Sequence, residues 1–208
     1  MKVSGDATLH APIDKVWAAL NDPAVLVRTI PGCERLELTG PDAYRMVVTA
    51  GVASIKGTYA GEVQLSDQQE PHSFLMTASG AGGPGTVSTE VRVALADAGD
   101  GSTTLTYDAD AVVGGVIAGV GQRMLVGVSK KMAGEFFRSV DDVLTGNAVE
   151  PAAAPEAAAA AEAGVFVAPS TGPRRSIGGE GFLQGAVVGA SIALAGVLVG
   201  GLLGRRRH

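Results

Sequence analysis

The sequence predicts an α+β domain in which a curved antiparallel sheet wraps around one long C-terminal helix, with two short helices beside it. Three observations predict this. Residues 2–9 and five stretches between positions 44 and 111 alternate apolar with polar residues, the period-two pattern of strands with one covered face. Two short helical patterns interrupt the strands near the N-terminus, and a stripe of helical period follows the last strand. The connections are short and turn-like, as in Ala98-Gly99-Asp100-Gly101, which favours sequential hairpins.

The elements follow in order. After the strand Lys2–Leu9, Pro12 suits a first helical turn, where a missing N–H costs nothing, and Ile13, Val16, Trp17 and Leu20 fall on one face. Asn21-Asp22-Pro23 stops that helix and starts another, with Asp22 as cap and Pro23 in the first position; Pro31-Gly32 ends it. The inward sets are Tyr44, Met46, Val48 and Ala50; Tyr59, Gly61, Val63 and Leu65; Phe74, Met76 and Ala78; Val87, Val91, Val93 and Leu95; and Leu105, Tyr107, Ala109 and Ala111. The covering helix is expected from about Gly115 to Leu144, with Ile117, Val120, Met124, Val128, Met132, Phe136 and Val140 as its stripe. Its N-terminal half is thinned by Gly115, Gly119, Gly121 and Gly127, each costing up to about 1 kcal/mol against alanine. A thin helix over a curved sheet leaves room for a guest, because native interiors are otherwise close-packed.

Composition changes twice after this domain, which is expected to span residues 1–147. Residues 148–181 are dominated by Ala, Pro, Glu and Gly, poor in large apolar side chains, and are expected to form a disordered tether. Phe182 to Gly204 carries no charge over 23 positions, long enough as a helix to match a hydrocarbon core of roughly 30 Å. Residues 182–208 are therefore expected to bind membrane lipid through Phe182, Leu183, Val187, Val188, Ile192, Leu194, Val197, Leu198, Leu202 and Leu203, with Arg205, Arg206 and Arg207 at the head groups. Glycines at 185 and 189, and at 196, 200 and 204, repeat at the four-residue spacing that lets helices approach in lipid. Both a full crossing and a shallow insertion fit this pattern.

Charge and cysteine content exclude several functions. The net charge is −5 and becomes −8 before the last 28 residues, which argues against a nucleic-acid partner. One cysteine, Cys33, excludes an internal disulfide and a multi-cysteine metal site within one chain. The chain opens on a strand pattern without a charged-then-apolar leader, so a cytoplasmic domain is expected. Gly80-Ala81-Gly82-Gly83-Pro84-Gly85 satisfies a dinucleotide-binding spacing but sits between two predicted strands with a proline inside, so it reads as a turn. Cys33 has no nearby histidine and reads as a packed thiol; His10 and His72 lie at strand ends and read as solvated; Asp108 and Asp110 alternate outward. Arg174-Arg175 reads as a solvated charge pair. No catalytic residue, covalent cofactor or metal ligand set emerges.

The local sequence resembles one branch of the START-like (SRPBCC) proteins, the G-subunit family of carbon monoxide dehydrogenase. The resemblance is carried by Ala11-Pro12 through Val16-Trp17, Leu20, Asp22-Pro23, Ile30-Pro31-Gly32-Cys33-Glu34, Ile55-Lys56-Gly57-Thr58-Tyr59-Ala60-Gly61-Glu62-Val63 and the Gly80–Gly85 turn, and covers roughly residues 1–145. It implies a helix-grip fold and an accessory protein of a molybdenum-containing carbon monoxide dehydrogenase. The wider superfamily holds apolar molecules between sheet and helix. Joined to the apolar tail, the resemblance implies a carrier at the cytoplasmic face of the cell membrane that presents a respiratory quinone, menaquinone, to the dehydrogenase. The chain offers no redox centre of its own in cysteine, haem-attachment or flavin patterns, so the ligand would carry the electrons. Expected ligand contacts are Met46, Val48, Tyr59, Met76 and Tyr107 from the sheet and Val116, Val120, Met124 and Val128 from the helix, with Ile30 and Pro31 at the mouth. Met suits a prenyl chain, and a tyrosine hydroxyl suits a carbonyl. The rival readings are a membrane anchor for the dehydrogenase without a ligand, a lipid carrier unrelated to carbon monoxide, and a cyclase, which would need polar groups inside the cavity.

Overall fold

The computed structural model describes residues 1–148 and 164–168. The strands are β1 (Lys2–Leu9), β2 (Cys33–Gly40), β3 (Ala43–Val52), β4 (Ile55–Gln69), β5 (Ser73–Gly82), β6 (Gly85–Asp97), β7 (Thr103–Gly114) and β8 (Val165–Val167); the helices are α1 (Ile13–Asn21), α2 (Pro23–Thr29) and α3 (Gln122–Leu144). They form one antiparallel sheet in the order β1-β7-β6-β5-β4-β3-β2-β8. Strands β2 to β7 follow one another as hairpins, while β1 closes the far edge against β7. This is the α+β sheet-and-helix architecture that the alternation predicts and the helix-grip fold that the resemblance implies.

Local chemistry accounts for the first elements. Asp22 accepts a hydrogen bond from the Ala24 N–H at 2.8 Å, satisfying a free donor at the start of α2, and Pro23 follows where no N–H is needed. Trp17 meets Phe74 edge-on, with centroids 5.7 Å apart, which locks α1 onto the sheet. Around that contact lies the main core, with Leu9, Val16, Leu36, Leu105 and Val140 essentially without exposure. Buried Thr103 donates its hydroxyl to the Ala11 carbonyl at 2.7 Å and ties β7 to the approach of α1. Cys33 packs in this core as expected; burial pushes its thiol above the usual range, and Sγ lies 3.6 Å from the Arg35 carbonyl oxygen.

Three expectations are corrected. The covering helix does not start near Gly115. A 3-10 turn occupies Val116–Val120, and α3 begins at Gln122 after Gly121, whose φ of 91° is a left-handed value that a side chain strains to adopt. The break re-phases the helix, so Leu125 is buried in place of Met124. Strand β2 is not predicted by the alternation, because Cys33–Gly40 carries two ion-pairing residues, Arg35 and Glu37, and its burial does not alternate. Within the segment expected to stay without structure, Val165–Val167 add an edge strand to β2, with Leu36 opposite Phe166. Three successive β-formers, one aromatic, meet an open strand edge there. Phe166 and Ala168 are partly buried against the main core. Residues 182–208, expected to bind membrane, Arg174-Arg175 and the rest of the expected tether lie outside the described residues; among those described, no helix is long and apolar enough to cross a membrane.

Candidate functional site: the inner face of the sheet

The register lays the inward residues out in rows across the sheet. Phe74, Val93, Tyr107 and Gly5 form one, and Leu65, Met76, Val91, Ala109 and Val3 the next. Then come Tyr44, Val63, Ala78, Thr89 and Ala111, followed by Met46, Gly61, Gly80, Val87 and Val113. The middle of the inner face is therefore floored by Ala78, Thr89, Gly61 and Gly80, whose side chains are too short to reach α3. What should fill the gap from the helix is also small, since Gly127 stands among Leu125, Val128 and Ser129.

Burial reflects this layout. The α1–α2 end is sealed, and a second, smaller cluster of Val52, Ile117 and Leu125 closes the other end. Between them Met46, Val48, Val63, Met76 and Val91 remain only partly buried, as do Tyr59 and Val128 at the second cluster. Of the expected ligand contacts, Ile30, Met46, Val48, Met76 and Tyr107 adjoin the main core, Tyr59, Val120 and Val128 adjoin the second, and Pro31 is half-exposed beside Ile30. The other two are corrections. Val116 is 69% exposed and Met124 47% exposed, because the break at Gly121 turns both away from the sheet.

The two tyrosines differ. Tyr107 lies flat over its partner Gly5, where a Cβ would stand 2.7 Å from the phenol oxygen, so only glycine admits the ring. Its ring packs on Phe137 at 5.7 Å between centroids and lines a hollow of about 310 Å³ at the β1–α3 margin, with Ala7 and Gly134. Tyr59 lies beside Gly82 at the second cluster. Burial pushes both phenols, and that of Tyr44, above the ordinary tyrosine range, the Asp6 charge adding to it at Tyr107. Each thus keeps its proton near neutrality and is a hydrogen-bond donor.

The larger hollows, of about 540, 550 and 700 Å³, follow the outer face instead. They are open to water and carry residues such as Glu62, Thr77, Ser79, Ser88, Glu90 and Arg92. A twisted sheet is saddle-shaped, so its outer face is concave along one diagonal. The open, water-facing form of these hollows is unlike the enclosed pocket of a small-molecule site. Asp108 and Asp110 face this side, as predicted, and the Gly80–Gly85 motif is the β5–β6 turn. No group of three or more His, Cys, Asp or Glu suited to a metal ion occurs among the described residues. His72 is exposed; His10 is exposed too, but it has a partner that sequence patterns do not reveal. Its N–H and Nδ1 meet the two carboxylate oxygens of Asp141 at 2.6 and 2.8 Å, an ion pair between β1 and the end of α3 that spans 131 positions in sequence.

Residues 5–145 match the family of the carbon monoxide dehydrogenase G subunit, CoxG. The chain belongs to this family. A conserved protein from Geobacillus kaustophilus is 35% identical in its solved structure, covering 71% of this chain and 97% of its own, with a TM-score of 0.68. A START superfamily protein from Mycobacterium smegmatis (16% identical, TM-score 0.55, 71% of this chain and 99% of its own) shares the fold. So does the Zhui aromatase/cyclase from a Streptomyces species (15%, TM-score 0.55, 74% and 99%). No curated protein matches the chain. At these identities the likeness to the START protein and the cyclase is one of fold.

Proposed function

We propose that the protein is an accessory carrier for a molybdenum-containing carbon monoxide dehydrogenase. It takes an apolar ligand, a respiratory quinone such as menaquinone, from the membrane and presents it to the enzyme. The observation that carries this reading is the set of apolar side chains on the inner sheet face that stay only partly buried, Met46, Val48, Val63, Met76 and Val91 among them. A domain that exposes such residues inside its own fold has reason to cover them with a guest. The residues present fit a prenylated quinone. Met46 and Met76 adapt to a flexible chain, Val48, Val63 and Val128 supply further apolar wall, and the protonated Tyr59 hydroxyl is a donor for a ring carbonyl. The quinone would supply the two-electron chemistry; the protein binds it, orients it and excludes water.

Family membership supports the dehydrogenase as partner. The uncharged Phe182–Gly204 segment and the three arginines after it support a return route to the cytoplasmic face of the membrane. A cyclase would need polar groups on the inner face, and the residues there are apolar apart from Thr89 and the tyrosine hydroxyls. Native mass spectrometry with organic extraction of the purified protein tests the reading. A co-purifying prenylated quinone, or stoichiometric uptake of added menaquinone, is expected. A clean apo mass with no uptake overturns the carrier reading and leaves that of a membrane anchor for the dehydrogenase. Deleting residues 182–208 is expected to release the protein from membrane fractions.

A further inference from the structure

We propose that the end of the domain opposite α1 and α2 is a lipid-contacting surface that seats on the anionic head groups of a bilayer. Its parts are the β3–β4 hairpin, the β5–β6 turn and residues 112–124. The second cluster holds them together, with Val52 of the hairpin, Ile117 of the 3-10 turn and Leu125 of α3 in contact. The Ile117 N–H also donates to the Pro84 carbonyl at 3.0 Å, which pins the turn beside it.

Two independent features point to lipid. The first is exposure. Val112, Val116 and Met124, three of the large apolar side chains left most open to water, fall within 13 positions, at 75%, 69% and 47%. Scattered apolar residues are ordinary on a surface, but three on one end of an acidic domain are not. The second is charge. The chain carries a net −5, yet residues 47–58, 80–88 and 111–125, at or near this end, contain no Asp or Glu; one acid from β2, Glu34, reaches the hairpin and accepts from the Thr49 hydroxyl at 2.6 Å. Exposed Lys56 lies on the hairpin side and exposed Arg123 next to Met124. Apolar tips flanked by cations, with Glu34 the acid that reaches the hairpin, match an interface of anionic head groups over acyl chains. Glycines at 115 and 121, with φ of 82° and 91°, bracket the apolar turn and let it present Val116 outward. The contact stands on exposure and charge; it rests on the carrier reading only for its purpose, which is to bring the thinly covered end near Tyr59, Val120 and Val128 against the lipid that supplies the ligand.

Site-directed spin labelling of the full chain tests it. Nitroxides are placed at V116C, M124C and, at the opposite end, D100C, in a Cys33→Ala background, and mixed with vesicles of phosphatidylcholine containing phosphatidylglycerol. Labels at 116 and 124 are expected to gain severalfold in collision with oxygen relative to a water-soluble nickel chelate, while the label at 100 is unchanged. The gain should be lost when Lys56→Glu and Arg123→Glu are combined. If the chain sediments with vesicles but both labels stay water-exposed, the proposal falls and the tail alone carries attachment. If the chain does not associate with the vesicles, it falls as well. Loss of both collision partners would indicate burial against protein, a second copy for instance, and would also overturn it. A lipid-facing label together with an empty quinone assay would reject the carrier reading while this surface stands.

Discussion

Helix α3 and the sheet meet at two ends that are built very differently. Toward the C-terminus of α3, Phe136, Phe137, Val140 and Leu144 reach a floor of Phe74, Val93, Leu95 and Leu105 roofed by α1 and α2. Toward its N-terminus the helix brings Leu125 and Val128 with glycine between, over a floor of Gly61, Gly80 and Ala78. At the first end many buried residues form one continuous cluster; at the other only Val52, Ile117 and Leu125 are buried, with their apolar neighbours partly open.

The largest test of this contrast is truncation. Leu105→Ala, at a position with no exposure, should cost about 2–5 kcal/mol in urea unfolding of the full chain, whereas Met124→Ala should stay within about 0.5 kcal/mol. Equal losses would mean that the ends are equally packed. Overfilling sharpens the comparison from the other side. Val120→Trp should leave the unfolding midpoint nearly unchanged and abolish quinone uptake, while Ala19→Trp in the buried face of α1 should cost about 1–3 kcal/mol or more. If V120W still takes up quinone, Val120 does not border the ligand. Removing the α2 cap with Asp22→Ala should cost about 0.5–2 kcal/mol, because the Ala24 N–H loses its partner. Cys33 should react with a thiol reagent at pH 8 only after denaturant is added, since burial raises its pKa; rapid native labelling would show that the sealed end opens.

The smallest effect is electrostatic. The hydrogen bond that the His10 imidazole donates to Asp141, and then the carboxylate's charge, hold His10 above the usual histidine range. The charged pair therefore adds stability below the unfolded pKa of about 6.5 and loses it as pH rises through the higher folded value. A proton NMR titration should place the His10 midpoint above the ordinary histidine range, and Asp141→Asn should lower it. His10 is fully exposed, so little global stability is at stake.

Much of this is legible in the residues. The alternation from Tyr44 to Ala111 names the inward side of five strands, because a strand has no choice but to point successive side chains apart. Asp22-Pro23 marks the start of α2 by local hydrogen bonding alone. The misses have physical causes. Val116 and Met124 belong to an inward stripe only if the helical backbone is unbroken, and one left-handed glycine at 121 cancels that assumption. The strands β2 and β8 escape prediction because each takes its strand form from its neighbour more than from its own pattern. His10 and Asp141 are too far apart in sequence for any spacing rule to join them.

By itself, then, the sequence determined what is set by near neighbours. That includes strand faces, helix caps, the acidic body, the single thiol, the uncharged C-terminal run and the motifs that place the chain in the CoxG family. Tertiary structure alone decided the phase of α3 after Gly121, the docking of Val165–Val167 on β2, and the gathering of Val112, Val116, Met124, Lys56 and Arg123 at one end. These depend on which distant surfaces meet, and local periodicity carries no information about that.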